Sequence, residues 1–514
     1  MITIDLVAYF MTFALFVYLT RKRRPKDLPL PPGPTKLPII GNLLDMPARM
    51  EWVTYHEWSK SFDSDIIHLK IAGMSVIVLD TAEAAFELLE RRSSIYSGRP
   101  RLPMLNELCG YSYNFGLMKY GDQWREHRRL FHHAFHPTAS KLMHPNLLKA
   151  THGLLRRMLA RPDIDFLDHL PHLAGETIVS IAYGLDVLPE NDPYIQASEE
   201  GIQPVRASGL PGAFLVDTLP ILKYVPDWMP FTDFKRKAKA WREVAHKMVD
   251  VPFDAAMSQI RKGNAMPSFL SRSLENMDDS QDLRHQEEVI KCVAGTMYTA
   301  GSDTTISTIA SCILAFLANP EALKKAQIEI DSFVAPGQLP DFKDQDSLPY
   351  VTAITMEALR WKEVTPLAIP HFLEVDDEYK GYRLPAGSVV LPNAWAIMHN
   401  ESVYPDPFTF DPDRFMKDGK LSPDVRDPAL AAFGFGRRIC PGRYMAHDTV
   451  WIAIASIAAT FDITKATDDS GNIIEPTYEY LTGLACRPLP FKCTIKPRSK
   501  EAEALIRSTA IHDY

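Results

Sequence analysis

The chain has 514 residues, 46% of them hydrophobic and 23% charged, and its net charge at pH 7 is −8. A chain so composed can bury a large core, and it lacks the strongly basic domain expected of a nucleic-acid binder. Its six cysteines, Cys109, Cys292, Cys312, Cys440, Cys486 and Cys493, form no CxxC pair, which fits free thiols in a reducing compartment.

The N-terminal stretch ITIDLVAYFMTFALFVYLT is apolar but for Asp5, and RKRR follows at residues 21–24. Such a run is just long enough to cross a bilayer as a helix, which takes about 20 residues. Basic residues behind it favour leaving the following chain in the cytosol. A cleaved signal peptide carries its charge ahead of the apolar run, so the pattern predicts an uncleaved single-pass anchor over residues 1–20. The sequon Asn400-Glu401-Ser402 is then not a glycosylation site. The prolines of PKDLPLPPGPTKLPIIGN predict an extended, stiff connector, part of a basic and proline-rich hinge over 21–50. No polar linker or internal repeat follows, and residues 51–514 read as one large domain, mainly α with small β-sheets.

Residues 65–80, DIIHLKIAGMSVIVLD, alternate on either side of Ala72-Gly73 and predict a hairpin. Helical patterns then dominate to about residue 362. WREHR sets Trp124 and Arg128 at i and i+4, an indole N–H and a guanidinium on one face that can hold a carboxylate. His127, His132, His133 and His136 cluster nearby. Without HExxH or a cysteine partner they read as solvated helix faces rather than a zinc site. Residues 209–231, GLPGAFLVDTLPILKYVPDWMPF, are apolar, aromatic and proline-broken; they fit a lid that admits lipophilic compounds or a packed core connection.

Between Cys292 and Pro320 the only charged residue is Asp303, in AGSDTT at 300–305. A lone carboxylate in so apolar a helix costs on the order of several kcal/mol unless it has a partner or a task. Gly301 weakens the helix locally, and the Thr304 hydroxyl can bond back to the helix or to a ligand. A second membrane span is the rival, disfavoured by polar residues at its centre. EALR places Glu357 and Arg360 on one helix face in apolar surroundings, and DPDRF later brings Arg414. A carboxylate caught between two arginines can be buried and satisfied. His371 follows in TPLAIPHFLE, with a charge that varies with pH. YKGYRLPAGSVVLPNAW (379–395) predicts a second β region, PGRYMAHDTVWIAIASIAATF (441–461) a helix, and extended segments end the chain.

One stretch stands apart. FGFGRRICPG (433–442) places Cys440 immediately before a helix that opens at Pro441. Free backbone N–H groups and the helix dipole there favour thiolate. Gly436 and Gly442 let the backbone turn sharply and a flat partner approach. Phe433 can shield the sulfur, and Arg438 offers a forked cation to a carboxylate. Together they fit a thiolate ligand for a planar metal complex with acid groups, a haem; the bland alternative is a structural cysteine beside a surface arginine pair.

The chain resembles the cytochrome P-450 family of haem-thiolate monooxygenases, matching the signature F-x-x-G-x-R-x-C-x-G at every fixed position and the family's motif order over nearly its whole length. The resemblance implies the family's fold and heme b with Cys440 as axial ligand of the iron, whose thiolate favours O–O cleavage. It implies insertion of one oxygen atom from O2 into a lipophilic small molecule, the other leaving as water. Phe433, Gly436, Arg438 and Gly442 would surround the haem, with Trp124, Arg128 and His371 at its acid groups; many members carry arginine where His371 stands. Asp303 and Thr304 would deliver protons, and Ala300 and Gly301 would leave room for dioxygen and substrate. Glu357, Arg360 and Arg414 would brace the core, although DPDRF departs slightly from the commoner motif. Residues 365–370 and 480–483 would line the pocket.

The sequence has no GxGxxG fingerprint and no flavin domain, so the resemblance implies a separate membrane-bound NADPH reductase as partner. Arg125, Arg129, Arg437 and Arg443 would offer it a basic docking face; solvated charge is the alternative. YSGRP and HNESVYPDP look most like fungal microsomal members of secondary or xenobiotic metabolism, anchored in the endoplasmic reticulum membrane, whose substrates include terpenoids, indoles, steroids and polycyclic aromatics. Rival readings are an O2-independent haem-thiolate isomerase or dehydratase, a non-catalytic haem carrier, and a cysteine hydrolase using His447. Asp303-Thr304 opposes the first two, and a helix that points His447 away opposes the third.

Overall fold

The computed structural model describes residues 28–162, 165–230 and 232–511. The anchor expected at 1–20 and the first part of the hinge lie outside the described residues. The rest of the hinge does not stand clear as a spacer. Ahead of α1 (Glu51–Ser61) it lies on the edge of β1 (Ile66–Ile71): His68 N donates to Pro32 O at 2.8 Å and Asn42 N to Lys70 O at 2.6 Å. Asn42 is fully buried there and accepts from Lys70 N with its side chain.

The expected hairpin is present. β1 pairs antiparallel with β2 (Met74–Leu79) through a turn at Ala72 (φ 46°) and Gly73 (φ 94°), the left-handed geometry that suits two-residue hairpin turns. A helical stretch follows, including α2 (Asp122–Phe135), α3 (His144–Ala160), α4 (Phe166–Tyr183), α5 (Pro193–Ser208), α6 (Asp233–Arg261), α7 (Leu283–Ala318) and α8 (Pro349–Trp361). Asp192 caps α5 and Asp282 caps α7, each accepting from two backbone N–H groups.

The sequence of α7 is apolar on all sides because protein surrounds it. The helix packs along α4, α5, α6 and α8, and 72% of its most apolar window is buried, so it is a core helix and not a second membrane span.

The second β region is present from Asp377 to Pro392, opening with an antiparallel pair of Asp377–Tyr379 and Tyr382–Leu384. β3 (His371–Phe372) and β4 (Val389–Pro392) complete a four-stranded sheet in the order β1-β2-β4-β3, with β2 and β4 parallel. Residues Ala394–Met398 turn helical, capped by the buried Asn393. The helix expected to open at Pro441 opens at Arg443, with Gly442 as its N-cap. This α9 runs Arg443–Thr460 and buries Trp451 completely before β5 (Phe461–Lys465) begins. β6 (Tyr480–Leu481) and β7 (Arg487–Pro488) form a hairpin against α7, and β8 (Cys493–Pro497) pairs with β5.

Candidate active site

The loop that carries Cys440 is made by backbone constraints. Gly434 (φ 74°) and Gly436 (φ 60°) reverse the chain, and a Cβ on Gly436 would sit 2.0 Å from Leu89 O. That position therefore needs glycine. Gly442 does not on the same grounds: its φ is −90°, and a Cβ there would meet only Phe131 at 3.9 Å. Cys440 N donates to Phe433 O at 2.8 Å, which fixes the sulfur's backbone. Phe433 contributes this carbonyl with a half-buried side chain; the fully buried ring is Phe435, set edge-on to Phe86.

Burial pushes the Cys440 thiol above its ordinary pKa, and the Gly442 N–H, Arg128 and Arg443 pull it back only in part. Desolvation wins, so the charge of a bound metal ion is what would ionise this sulfur.

Around the loop the structure gathers cations without carboxylates. Arg438 donates to the carbonyls of Ser97, Phe115 and Met118 and lies 4.5 Å over the Trp124 ring; burial lowers its pKa to about 9. Burial takes Arg128 to about 10, with Cys440 opposing the shift. Arg99 is buried and donates only to the carbonyls of Gly116, Ile369 and Pro370. Desolvation and Arg438 hold it well below its usual value. Among the described residues none of the three has a carboxylate partner in hydrogen-bond reach. A set of half-desolvated guanidiniums is costly alone and fits a ligand that carries acid groups.

His371, on β3, is buried beside them. Its Nδ1 is 2.9 Å from Tyr96 O, and burial, Arg99 and Arg438 hold its pKa well down. A carbonyl only accepts, so the neutral ring carries its proton on Nδ1 and presents Nε2 as an acceptor.

The middle of α7 is less covered than its flanks. Residues on both sides are buried, yet Ala300 is exposed and Gly301, Ser302 and Thr304 are half-exposed. These residues form an uncovered window between buried stretches of the helix. Thr304 Oγ1 donates to Ala300 O at 3.0 Å. Gly301 has another reason to be small: a Cβ there would lie 2.5 Å from Ile178 of α4, so it admits a neighbouring helix rather than a ligand. Asp303 has a partner that the sequence did not signal. Arg206 of α5 grips it with Nε 2.9 Å from Oδ2 and with Nη2 on Oδ1.

Glu357, Arg360 and Arg414 come together. Arg360 donates from Nε and Nη2 to Glu357 at 2.7 Å each, both side chains are 0% exposed, and Arg414 Nε reaches Glu357 Oε1 at 3.3 Å. Arg360 also holds Met398 O, and Asp411 N donates to Glu357, so the cluster ties α8 to the loops around 398–411.

Other expected groups have local duties. Arg443 donates to Cys440 O and Tyr444 Oη, Arg437 to Tyr120 Oη, and Arg125 to Asp122 at 2.6 Å. Arg129 lines a surface groove of about 540 Å³ that also holds Asp122, Glu126 and His285, so the face is mixed in charge. His127 Nδ1 meets Gln123 O at 2.8 Å, and among the described residues no three histidine, cysteine or acidic side chains converge as a metal site would require. In 365–370, Leu367 belongs to the apolar cluster that includes Trp52, Cys486 and residues of the sheet. Tyr480 Oη donates to Ser311 of α7 at 3.0 Å. Arg99, Arg206 and the buried Glu363 were missed; Gly-Arg-Pro at 98–100 was a usable signal for the first, and none marked the others.

A half-buried cysteine loop at a helix start, carboxylate-free arginines beside it and an uncovered stretch in a core helix fit a haem-thiolate protein. The profile of the cytochrome P450 family matches residues 31–495. The chain is 47% identical over 511 residues to "Cytochrome P450 monooxygenase 98" of Postia placenta, covering 99% of this chain and 98% of that one. It is 44% identical to "Cytochrome P450 monooxygenase ple1" of Rhodocybe pseudopiperita (96% and 94% covered) and 40% identical to "Tryptamine 4-monooxygenase" of Psilocybe cyanescens (94% and 96%). The chain belongs to the cytochrome P450 family: it is a monooxygenase with heme b as cofactor.

Proposed function

We propose that this monooxygenase hydroxylates or epoxidises a lipophilic small molecule of terpenoid, indole, steroid or polycyclic aromatic type, in fungal secondary metabolism or detoxification. Electrons come from a separate NADPH reductase in the endoplasmic reticulum membrane, and the N-terminal run anchors the chain there. The observation that carries this reading is the α7 window, where Ala300 and Thr304 are uncovered between buried stretches of the helix, with Asp303 next to Thr304. Exposed Leu215, Ile221 and Trp228, the last 82% exposed, support the placing of 209–231 at a lipid surface. A relative named for action on tryptamine supports an indole among the candidates.

In this reading Cys440 ligates the haem iron, and Arg128, Arg438 and Trp124 hold the porphyrin's acid groups. The bound haem supplies activation of dioxygen. Thr304 offers a hydroxyl at the chamber wall while its own proton rests on Ala300 O. Asp303 takes protons from solvent once Arg206 lets go, and passes them toward Thr304. Glu357, Arg360 and Arg414 keep the fold around Cys440 rigid and touch no substrate.

The test is spectroscopic first. Reduced protein under carbon monoxide gives the thiolate-haem band, and Cys440→Ala abolishes it. With reductase and NADPH, a library of indoles and terpenoids then yields a product one oxygen heavier, and Thr304→Ala keeps the band while losing product per NADPH consumed. A normal band with no NADPH-dependent product from any member would instead favour a haem carrier, and turnover of hydroperoxides without reductase an isomerase.

A further inference from the structure

Two segments meet at one edge of the molecule: the helical turn Pro103–Leu108, and the stretch 209–230 with its short helices Leu215–Thr218 and Pro220–Tyr224. Their apolar contact is made by Met104, Leu105, Cys109 and Val216. Two carboxylates tie them, and the two differ in kind.

Glu107 is saturated. Arg101 Nε donates to it at 2.6 Å and Lys223 Nζ at 2.6 Å, and Arg101 and Lys223 hold its carboxyl at about 2. Asp217 has no cation. Its Oδ1 accepts from Met104 N at 3.0 Å, while Oδ2 is shut from solvent with no partner. A buried oxygen without a donor tolerates a neutral carboxyl far better than a carboxylate. A protonated Asp217 keeps the Met104 bond through its carbonyl oxygen. An ionised one is relieved by swinging into water, which breaks the tie.

We propose that Asp217 is a proton-controlled latch between 209–230 and the Pro103–Leu108 turn, closed while its carboxyl carries a proton and loosened when it ionises, with Glu107–Lys223 as the permanent tie. The consequence for catalysis, access to the chamber, rests on the reading of 209–231 as a lid; the latch itself does not.

The charged groups around Asp217 leave this duty to it. Burial raises Cys109 to about 12, and Glu107 stays ionised, whereas Asp217 is raised by burial to about 6. From α6, Arg242 donates to Glu107 O at 2.8 Å and Lys237 lies over the Trp241 ring. His246 on the same helix pairs with Asp250 at 3.7 Å. Arg101 and Lys223 are engaged by Glu107.

The experiment is hydrogen–deuterium exchange of the full-length, haem-loaded protein in detergent, corrected for intrinsic exchange. Peptides covering 101–113 and 209–230 are read near pH 5.5 and pH 8. In the wild type, opening rises about fourfold across that interval, the factor expected when opening returns an aspartate to its ordinary pKa. Asp217→Asn keeps the acceptor and loses the charge, so its opening does not change with pH. Glu107→Gln opens faster at both values and keeps the fourfold response. Should Asp217→Asn fold poorly, Asp217→Ala opens faster throughout and is equally insensitive to pH. A wild type with no response, or an Asp217→Asn or Asp217→Ala variant that retains the wild-type response, overturns the latch. The carbon monoxide band and product assay report separately on the monooxygenase reading.

Discussion

Two of the carboxylate–arginine pairs inside this enzyme, Glu357–Arg360 and Asp303–Arg206, are built to opposite ends. Glu357 and Arg360 are 0% exposed, and every nitrogen of Arg360 is on Glu357 or a carbonyl. Asp303 is 6% exposed by side chain, but its partner Arg206 keeps 24% of its surface in contact with water. A sealed pair cannot exchange partners without unfolding its surroundings. A pair with one wet member can, because water replaces what the arginine gives up. The first is therefore a brace and the second a hinge pin that can be drawn.

Breaking the brace has the largest expected effect. Arg360→Leu leaves Glu357 buried with Arg414 alone, and the loss is about 3–5 kcal/mol in urea unfolding, with haem no longer retained. Asp303→Asn sharpens the contrast. Stability changes far less, while product formation falls about 100-fold or more and the carbon monoxide band persists, as for loss of a group that handles protons. A fall in stability as large as that of Arg360→Leu would make Asp303 a second brace.

Glu363 offers a third case, a buried acid with neither oxygen bonded and a pKa pushed by burial to about 8. The folded state holds its proton more tightly than the unfolded chain. Its contribution is therefore complete below about pH 4.5 and is lost as pH rises toward 8, by up to about 1.4 kcal/mol per pH unit. Glu363→Gln flattens the melting temperature between pH 6 and 8 relative to wild type. At the small end, Arg91→Ala removes a partner of Glu87 whose side chain is 80% exposed, and the unfolding midpoint does not move measurably.

Local chemistry was legible in the sequence wherever neighbours in the chain are neighbours in space. The Ala72-Gly73 turn, the Glu357–Arg360 pair and the Cys440 loop follow from spacing alone. What escaped depends on distant segments. Asp303 announced that it needed a partner, but Arg206 lies on another helix and no periodicity joins them. The purpose of Gly301 is set by Ile178, and the proton on His371 by a carbonyl from residue 96. Helix ends and arginines near Cys440 are visible in a string of residues, whereas the desolvation of its thiol arises only once the fold closes.

The outer side of 209–230 has a practical consequence. Leu215, Leu219, Ile221, Tyr224 and Trp228 all face outward on one short stretch. A chain shortened to begin at residue 28 would still carry this greasy plate, so removing the N-terminal run would not by itself give a monodisperse protein in plain buffer. Replacing Ile221 and Trp228 with polar residues is the change that should let such a shortened form stay dispersed.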